Sequence, residues 1–268
     1  MISNKFLYRS LHHLYPETDG KPIAENTLQF EWIVLIKLGL EACFVHDPNI
    51  FIAGDLFWYP VEGNNKIRLA PDVLVALGRP KGHRGSYLQW MEDNIPPQIV
   101  FEVLSPGNRA AEMQRKFAFY ETYGVKEYYI FDPDRKRFSA YLRQGDQLLP
   151  VEKERLHDFV SPLLQVRFVW HKEDFHLYEP SGKRFLSYLE LVEAQEKAWE
   201  RLDENKKQLA GLKNQLKESA AVAEQESKRA DFEAQRAEQE AQRAEQETLK
   251  ARKLAARLKE LGIDPDAI

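Results

Sequence analysis

The run at residues 99–104 constrains the fold of this chain most strongly, because it is apolar except at Glu102 and is flanked by Pro97 and Pro106. A short apolar run of this kind is typical of a strand buried on both faces in the centre of an α/β sheet. A carboxylate that leaves water without a partner is costly, by several kcal/mol. Glu102 is therefore paired, or it lies at the strand end and holds a metal ion, or it is bonded to nearby backbone.

The neighbouring segments continue the pattern of buried strands and bring further charged residues beside it. A second apolar strand is predicted at 73–77, directly after Asp72, and another at 127–132. A helix that carries Lys116 is predicted at 109–123, between the strand at 99–104 and the strand at 127–132. Two acids and a lysine suit metal-assisted cleavage of a phosphodiester, because carboxylates bind a hard divalent cation and the cation and lysine together position and activate a water.

The segments APDVLVALG, FEVLSPGN and EMQRKFAFYETYGVKEYYIFDPD resemble the Uma-two family, which is common in cyanobacteria and is classed with the restriction endonucleases of the PD-(D/E)XK nuclease superfamily. The resemblance covers about residues 20–190, and the closing LKELGIDPDAI resembles the usual C-terminus of the family. It implies an α/β fold with a restriction-endonuclease-like mixed sheet flanked by helices. It also implies Mg²⁺ or Mn²⁺ as the cofactor and DNA as the substrate.

By the same resemblance, Asp72 is the metal-binding aspartate of the "PD" motif and Glu102 is the acid of the motif that follows. The usual lysine of the superfamily falls two residues after that acid, where this chain has Leu104, and the resemblance implies Lys116 as its substitute. Asp72, Glu102 and Lys116 are accordingly the predicted catalytic residues, and the two acids are the predicted metal ligands. Without the resemblance, Lys116 is better explained by an exposed ion pair with Glu112, one helical turn earlier, worth less than about 1 kcal/mol.

The first predicted helix spans 28–44, with Asn26 or Thr27 as its cap. It is apolar nearly all round, so we expect it to pack against the sheet over much of its surface. Nuclease folds of this class often carry an additional acid on this helix. Glu25, Glu31 and Glu41 are the candidates for this acid, with an ordinary surface position as the alternative. Asp55, beside Gly54 in the strand predicted at 50–59, is a further candidate acid, with a turn or bulge residue as the alternative.

The segment between the two acid-bearing strands contains Arg79, Lys81 and Arg84, followed by Tyr87 and Trp90. Cations beside aromatic rings suit contact with phosphates and bases, so we predict that the three basic residues bind DNA. The alternative is an ordinary surface loop that the two aromatic residues fix to the domain. The formal net charge is −4, so the affinity for nucleic acid has to come from such a local patch.

The C-terminal part of the chain changes character twice. Short strands predicted from 137 to about 178 give a small antiparallel extension of the sheet. From about 190 the sequence is rich in Glu, Gln, Lys, Arg and Ala, and EAQRAEQ at Glu233 is repeated at Glu240, which is a seven-residue period. This pattern predicts a helix on the order of 100 Å long. Its seam is mostly alanine, so we expect a marginal coiled coil, with a solvated single helix as the alternative.

These observations predict an N-terminal arm at 1–19, a nuclease-like domain at 20–188 and a heptad-repeat tail at 189–268. The predicted function is a metal-dependent endonuclease that hydrolyses phosphodiester bonds in DNA and forms homo-oligomers through the tail. A non-catalytic binding or assembly module with the same fold is the first alternative, and a nuclease for RNA is the second. The sequence shows no signal peptide and no apolar run long enough for a membrane span, which predicts a cytoplasmic protein.

Overall fold

The structure, a computed structural model, describes residues 14–17, 26–108, 110–171 and 174–260. The chain divides into two compact units, Met1–Glu193 and Ala194–Ile268. The predicted arm, domain and tail boundaries stay a prediction, and most of the arm lies outside the described residues, as does most of the closing segment. Within the described ranges, no helix combines the length and the apolar character that crossing a membrane requires.

The described part of the chain forms three sheets and three α-helices, joined by turns and two short 3₁₀ helices. The strands are β1 Ile50–Gly54, β2 Trp58–Tyr59, β3 Val73–Leu77, β4 Tyr87–Leu88, β5 Ile99–Val103, β6 Glu127–Asp132, β7 Arg137–Gln144, β8 Gln147–Pro150, β9 Asp158–Val160, β10 Arg167–His171 and β11 Asp174–Tyr178. The helices are α1 Thr27–Cys43, α2 Ala110–Thr122 and α3 Tyr188–Glu260, and the 3₁₀ helices are Gln89–Met91 and Lys153–His157.

The central sheet has six strands in the order β1-β3-β5-β6-β7-β8. Strands β5 and β6 are parallel, and the other neighbouring strands are antiparallel. Helix α2 makes the crossover between β5 and β6, as a parallel pair requires. All five residues of β5 are buried, which confirms the prediction of a central strand covered on both faces.

One face of this sheet packs on α1, which begins at the predicted cap: Asn26 Oδ1 accepts a hydrogen bond from Gln29 N at 2.8 Å. The buried side of α1 includes Ile33, Ile36 and Leu40. The expected burial of α1 over much of its surface is wrong, since Phe30 is 46 % exposed and Leu38 is 48 % exposed. A single face of the helix meets the sheet, and the apolar residues on its other side remain in contact with solvent.

The same core layer contains a small sheet whose strands the sequence pattern assigns to an extension of the central sheet. Strands β7 and β8 do extend the central sheet, but β9, β10 and β11 form a separate antiparallel sheet in the order β11-β10-β9. Its aromatic residues, including Phe159, Phe168 and Phe175, pack into the core that α1 and the central sheet share. The predicted single extension of the sheet is therefore wrong, because alternation of apolar residues specifies one buried face without specifying which sheet a strand joins.

The opposite face of the central sheet carries an aromatic core. Helix α2 and the parallel pair β2–β4 cover this face and bury Trp58, Tyr87, Tyr120 and Tyr128. The ring centroids of Tyr120 and Tyr128 are 4.9 Å apart, and the Tyr120 ring lies parallel to Trp58 at 6.5 Å. Rings packed at these distances restrict one another, so polar atoms attached to them have fixed positions.

The second unit is the greater part of α3, a helix of 73 residues that is about 110 Å long at 1.5 Å per residue. The helix begins with a capping box, because Ser187 N donates to Glu190 Oε2 at 2.8 Å and Glu190 N donates to Ser187 Oγ at 3.3 Å. Residues along it are exposed, including Leu209 and Leu216, which lie one seven-residue period apart. The long helix is confirmed, and its association as a coiled coil stays a prediction.

Candidate active site

The two predicted acids lie side by side at neighbouring ends of two inner strands of the central sheet, β3 and β5. Strand β3 is antiparallel to β5 with Val73 opposite Phe101, and continuing this register by one residue places Asp72 opposite Glu102. Both side chains alternate onto the face that α2 covers, as Leu74 does. The two strands are also joined here, because Val103 N donates to Asp72 Oδ2 at 2.6 Å. The structure thus brings together residues that lie thirty positions apart in the sequence.

Glu102 is 2 % exposed and has a partner on each carboxylate oxygen. Lys116 Nζ lies 2.7 Å from Oε2, and Tyr120 Oη donates to Oε1 at 2.5 Å. Both partners come from α2, where residues four apart share a face. The carboxylate is therefore paired, as the first interpretation of the buried strand required.

Lys116 itself is 14 % exposed at its side chain, so the pair with Glu102 is largely buried. The alternative of an exposed ion pair with Glu112 is not what the structure shows: Lys116 points inward to the sheet. Helix α2 thereby brings a positive charge to Glu102, and the role of Lys116 as the substitute for the motif lysine stays a prediction.

The charges in this cluster are unbalanced. Burial, and next the negative charge of Glu102, hold the pKa of Asp72 well above its ordinary value. Burial alone would lower the pKa of Lys116, but attraction by Glu102 and Asp72 outweighs it and raises that pKa. Two buried carboxylates share one ammonium, so burial and the uncompensated negative charge together keep the pKa of Asp72 high.

The donor set fits a hard divalent cation. Mg²⁺ is commonly bound by one or two carboxylates and retains several waters, and the oxygens of Asp72 and Glu102 supply such a set. A cation would also compensate the repulsion that raises the pKa of Asp72. Among the described residues, no group of three or more His, Cys, Asp or Glu side chains is placed to hold a metal ion.

Of the other candidate acids, Asp55 lies next to Asp72, whereas Glu31 and Glu41 lie elsewhere in the domain. Glu31 lines a cavity of about 280 Å³ together with His176, on the side of the domain where α1 packs. Glu41 accepts a hydrogen bond from Lys37 at 2.8 Å, and Glu25 lies outside the described residues. Asp55 follows β1 with a positive φ of 45°, as a turn residue does, and its backbone N–H donates to the carbonyl of Asp72 at 3.2 Å.

The predicted DNA-contacting residues lie at the other end of the strands. Asp72 precedes β3, whereas Arg79, Lys81 and Arg84 follow the end of β3. Arg84 Nε donates to Glu92 Oε1 at 2.6 Å, and Arg79 Nε donates to Glu92 Oε2 at 3.0 Å. Lys81 Nζ donates to the carbonyls of Phe44 and Val45, the two residues that follow α1, and its distance to the Val45 oxygen is 3.3 Å. Contact with DNA by these residues stays a prediction, and their internal contacts favour the alternative of a structural loop.

The aromatic residues of the same segment agree with that alternative. Tyr87 is fully buried, and its hydroxyl donates to the carbonyl of Ile95 at 2.7 Å. Trp90 packs near Tyr15, with ring centroids 5.0 Å apart. Both side chains fix the segment to the domain.

Two residues that shape the site are not among the predicted site residues. The helical spacing of Tyr120 indicates only a core position, although its place four residues after Lys116 is a signal for a shared partner. Gln29 of α1 donates through Nε2 to the carbonyl of Val103 at 2.8 Å, which fixes the strand end beside Glu102. A single glutamine in an apolar helix gives no signal of a contact with a strand that lies 74 positions away.

Comparison with known proteins agrees with the expected family. Residues 26–171 match the Uma2 (Uma-two) family, which is described as "Putative restriction endonuclease". The match spans more than half of the 268 residues, and the chain belongs to this family. The predicted family is confirmed, as is the predicted class of fold, a mixed α/β sheet flanked by helices and followed by a long helix.

A solved structure also resembles this chain. It is described as a "putative nuclease belonging to DUF820" from Anabaena variabilis ATCC 29413, and the sequence identity is 14 %. The similarity covers 55 % of this chain and 79 % of that chain, with a TM-score of 0.39. No curated protein gives a significant match.

Proposed function

We propose that this protein is a divalent-metal-dependent endonuclease that hydrolyses phosphodiester bonds in DNA. The observation that carries the proposal is the buried cluster in which Asp72, Glu102 and Lys116 meet at the ends of strands β3 and β5, with Lys116 Nζ 2.7 Å from Glu102. Membership of a family described as restriction endonucleases supports the same activity.

Asp72 and Glu102 would hold Mg²⁺ or Mn²⁺. Such an ion, when bound, offsets negative charge on the phosphate and lowers the pKa of a water. The site lies at neighbouring ends of β3 and β5, and both acids are held there by hydrogen bonds, Asp72 by Val103 N and Glu102 by Tyr120. Preset ligands lose little freedom on binding a cation.

Lys116 acts as a donor and a positive charge. Attraction by Glu102 and Asp72 raises its pKa and keeps Nζ protonated at neutral pH in the metal-free protein. In the hydrolysis, the water oxygen forms a bond to phosphorus, the bond from phosphorus to the leaving oxygen breaks, and a proton passes to that leaving oxygen. The ammonium orients the water or offsets the charge that develops on the phosphate oxygens.

A non-catalytic module with this fold is the second candidate, and one observation favours it. Both oxygens of Glu102 already have partners in Lys116 and Tyr120, so the cluster is a closed arrangement in the absence of a cation. In such a protein the acids and the lysine would act as a buried polar link between the sheet and α2.

Nicking of supercoiled DNA with Mg²⁺ or Mn²⁺ tests the first candidate. We expect cleavage by the wild-type protein, and loss of at least about a hundredfold in the Asp72→Asn and Lys116→Ala variants, as is usual when a residue that stabilises the transition state is removed. Lys116→Ala should still bind the cation, since Nζ is not a ligand. A wild-type protein that gains thermal stability from neither cation and cleaves no DNA or RNA would establish the second candidate instead.

A further inference from the structure

We propose that Tyr120 is a positioning residue that commits one oxygen of Glu102, Oε1, and thereby leaves only Oε2 to a divalent cation. The inference rests on the proposed metal site and adds a role for a residue outside the acid–lysine set. It follows from a difference between the two partners of Glu102: the Tyr120 hydroxyl is fixed by packing, whereas the Lys116 ammonium is carried by a flexible side chain.

The hydroxyl of Tyr120 has no freedom to leave Oε1. It donates at 2.5 Å, and the residue is fully buried. Its ring lies parallel to Trp58 at 6.5 Å and 4.9 Å from Tyr128, inside the aromatic core under α2. A buried hydroxyl that lost its acceptor would remain unsatisfied, since water has no access to this position.

The ammonium of Lys116 is held less firmly on Oε2. The side chain reaches the carboxylate by a flexible stem, and part of it remains exposed. Oε2 is therefore the oxygen of Glu102 that would be available to a divalent cation, with Lys116 released from it to offset charge on the phosphate, while Tyr120 would stay on Oε1.

The consequence concerns water. Mg²⁺ and Mn²⁺ favour six ligands, so each carboxylate oxygen that binds the ion displaces one water. A glutamate that offers one oxygen leaves the ion with one more water than a glutamate that offers both. Tyr120 therefore preserves a water position at the site of hydrolysis.

Tyr128 provides a matched control for this role. Its ring belongs to the same buried aromatic cluster, but among the described residues its Oη has no hydrogen-bond partner. Replacement of Tyr128 by Phe removes the same atom as replacement of Tyr120 by Phe. Only the second change releases an oxygen of Glu102.

The experiment counts the waters on bound Mn²⁺ by electron–nuclear double resonance in ¹⁷O-water, with the full-length wild type, Tyr120→Phe and Tyr128→Phe. We expect Tyr120→Phe to hold one water fewer than the wild type and Tyr128→Phe to hold the same number. We also expect Tyr120→Phe to bind Mn²⁺ equally or severalfold more tightly while kcat for cleavage falls about tenfold or more. A purely structural role would lower the melting temperature and leave the water count unchanged.

The outcomes separate this inference from the proposed function. Equal water counts in the wild type and Tyr120→Phe, with Mn²⁺ bound to both, would overturn the role of Tyr120 and leave the nuclease intact. A wild type that binds no Mn²⁺ would overturn both. If Tyr120→Phe does not fold, the hydroxyl proton of Tyr120 is followed by NMR in the wild type. It stays protected from exchange when Mg²⁺ is added, and loss of protection would refute the inference.

Discussion

Lys116 Nζ lies 2.7 Å from Glu102 Oε2 although the two residues are 14 positions apart in the sequence. Strand β5 and helix α2 are consecutive elements, and the turn between them folds the helix back over the strand that it follows. A lysine on the helix therefore reaches a carboxylate on the strand, and the two elements share a buried ion pair.

The raised pKa of Asp72 predicts how stability depends on pH without metal. Because the folded protein holds the proton more tightly than the unfolded chain, its stabilising contribution is complete below the ordinary pKa of 3.8. That contribution is lost as the pH rises through the raised pKa. Asp72→Asn should abolish this decline and make the metal-free protein more stable at neutral pH. Urea unfolding across a pH series checks this, and a wild-type profile shared by Asp72→Asn would contradict it.

With Mg²⁺ the wild type should become more stable than Asp72→Asn, which is the reverse of their order without metal. Binding to the folded state alone raises its stability, so the wild type should gain in melting temperature in proportion to the logarithm of the ion concentration. Asp72→Asn should gain little. The same titration with K⁺ at matched ionic strength is the control for screening.

The pair of Lys116 and Glu102 should show strong coupling. Lys116→Met leaves a buried carboxylate with one fewer partner, and removal of one member of a buried pair costs about 3–5 kcal/mol. Glu102→Gln leaves a buried ammonium instead. The double variant should lose much less than the sum of the single losses, because neither charge is then left alone. Additive losses in chemical denaturation would show that the two groups do not interact in solution.

Removal of the Tyr128 hydroxyl should not destabilise the protein. A buried polar group without a partner costs about 1–3 kcal/mol, and within the described residues Tyr128 Oη is such a group. Tyr128→Phe should therefore have an equal or higher free energy of unfolding, whereas Tyr120→Phe should have a lower one. A loss in Tyr128→Phe as large as that in Tyr120→Phe would contradict this assignment of their hydrogen bonds.

Local patterns predicted the elements of the site well, since they depend on near neighbours in the chain. Strands β3, β5 and β6 fall where their apolar runs predict them, and Asn26 caps α1 as its type suggests. Contacts between residues that are distant in the sequence could not be predicted from these local patterns. The Gln29 contact with Val103 and the separate sheet of β9–β11 depend on how distant elements pack, which period and composition do not encode.

The loop that contains Arg79, Lys81 and Arg84 shows that a cluster of charges in the sequence also does not determine its contacts in the fold. A cluster of cations in sequence predicts a phosphate-binding patch only if the cations remain without partners in the fold. Here Arg79 and Arg84 both bond to Glu92, which is itself buried. The acids that pair with them, Glu92 and Asp93, follow the two aromatic residues of the predicted patch.

Replacement of Arg79, Lys81 and Arg84 together by Ala should separate the two interpretations of this loop. From their internal contacts we expect a lower melting temperature and an unchanged slope of log Kd for DNA against log salt concentration. A flatter slope would instead establish DNA contact, since fewer counterions would be released. Binding is measured without a cleaving cation and below the melting temperature of the variant. Lys81→Ala alone, which leaves Glu92 paired, is the control for unfolding.

The final prediction concerns the tail. The division of the chain after Glu193 and the exposure of α3 predict that the first unit folds without the second. A chain that ends at Glu193 retains the Ser187–Glu190 capping box and should melt cooperatively within a few degrees of the full chain. If the heptad seam associates, only the full chain should sediment as an oligomer, and Leu209→Glu should weaken it. Because much of the seam is alanine, the oligomer should dissociate at micromolar dilution, and one that survived nanomolar concentrations would show a different interface.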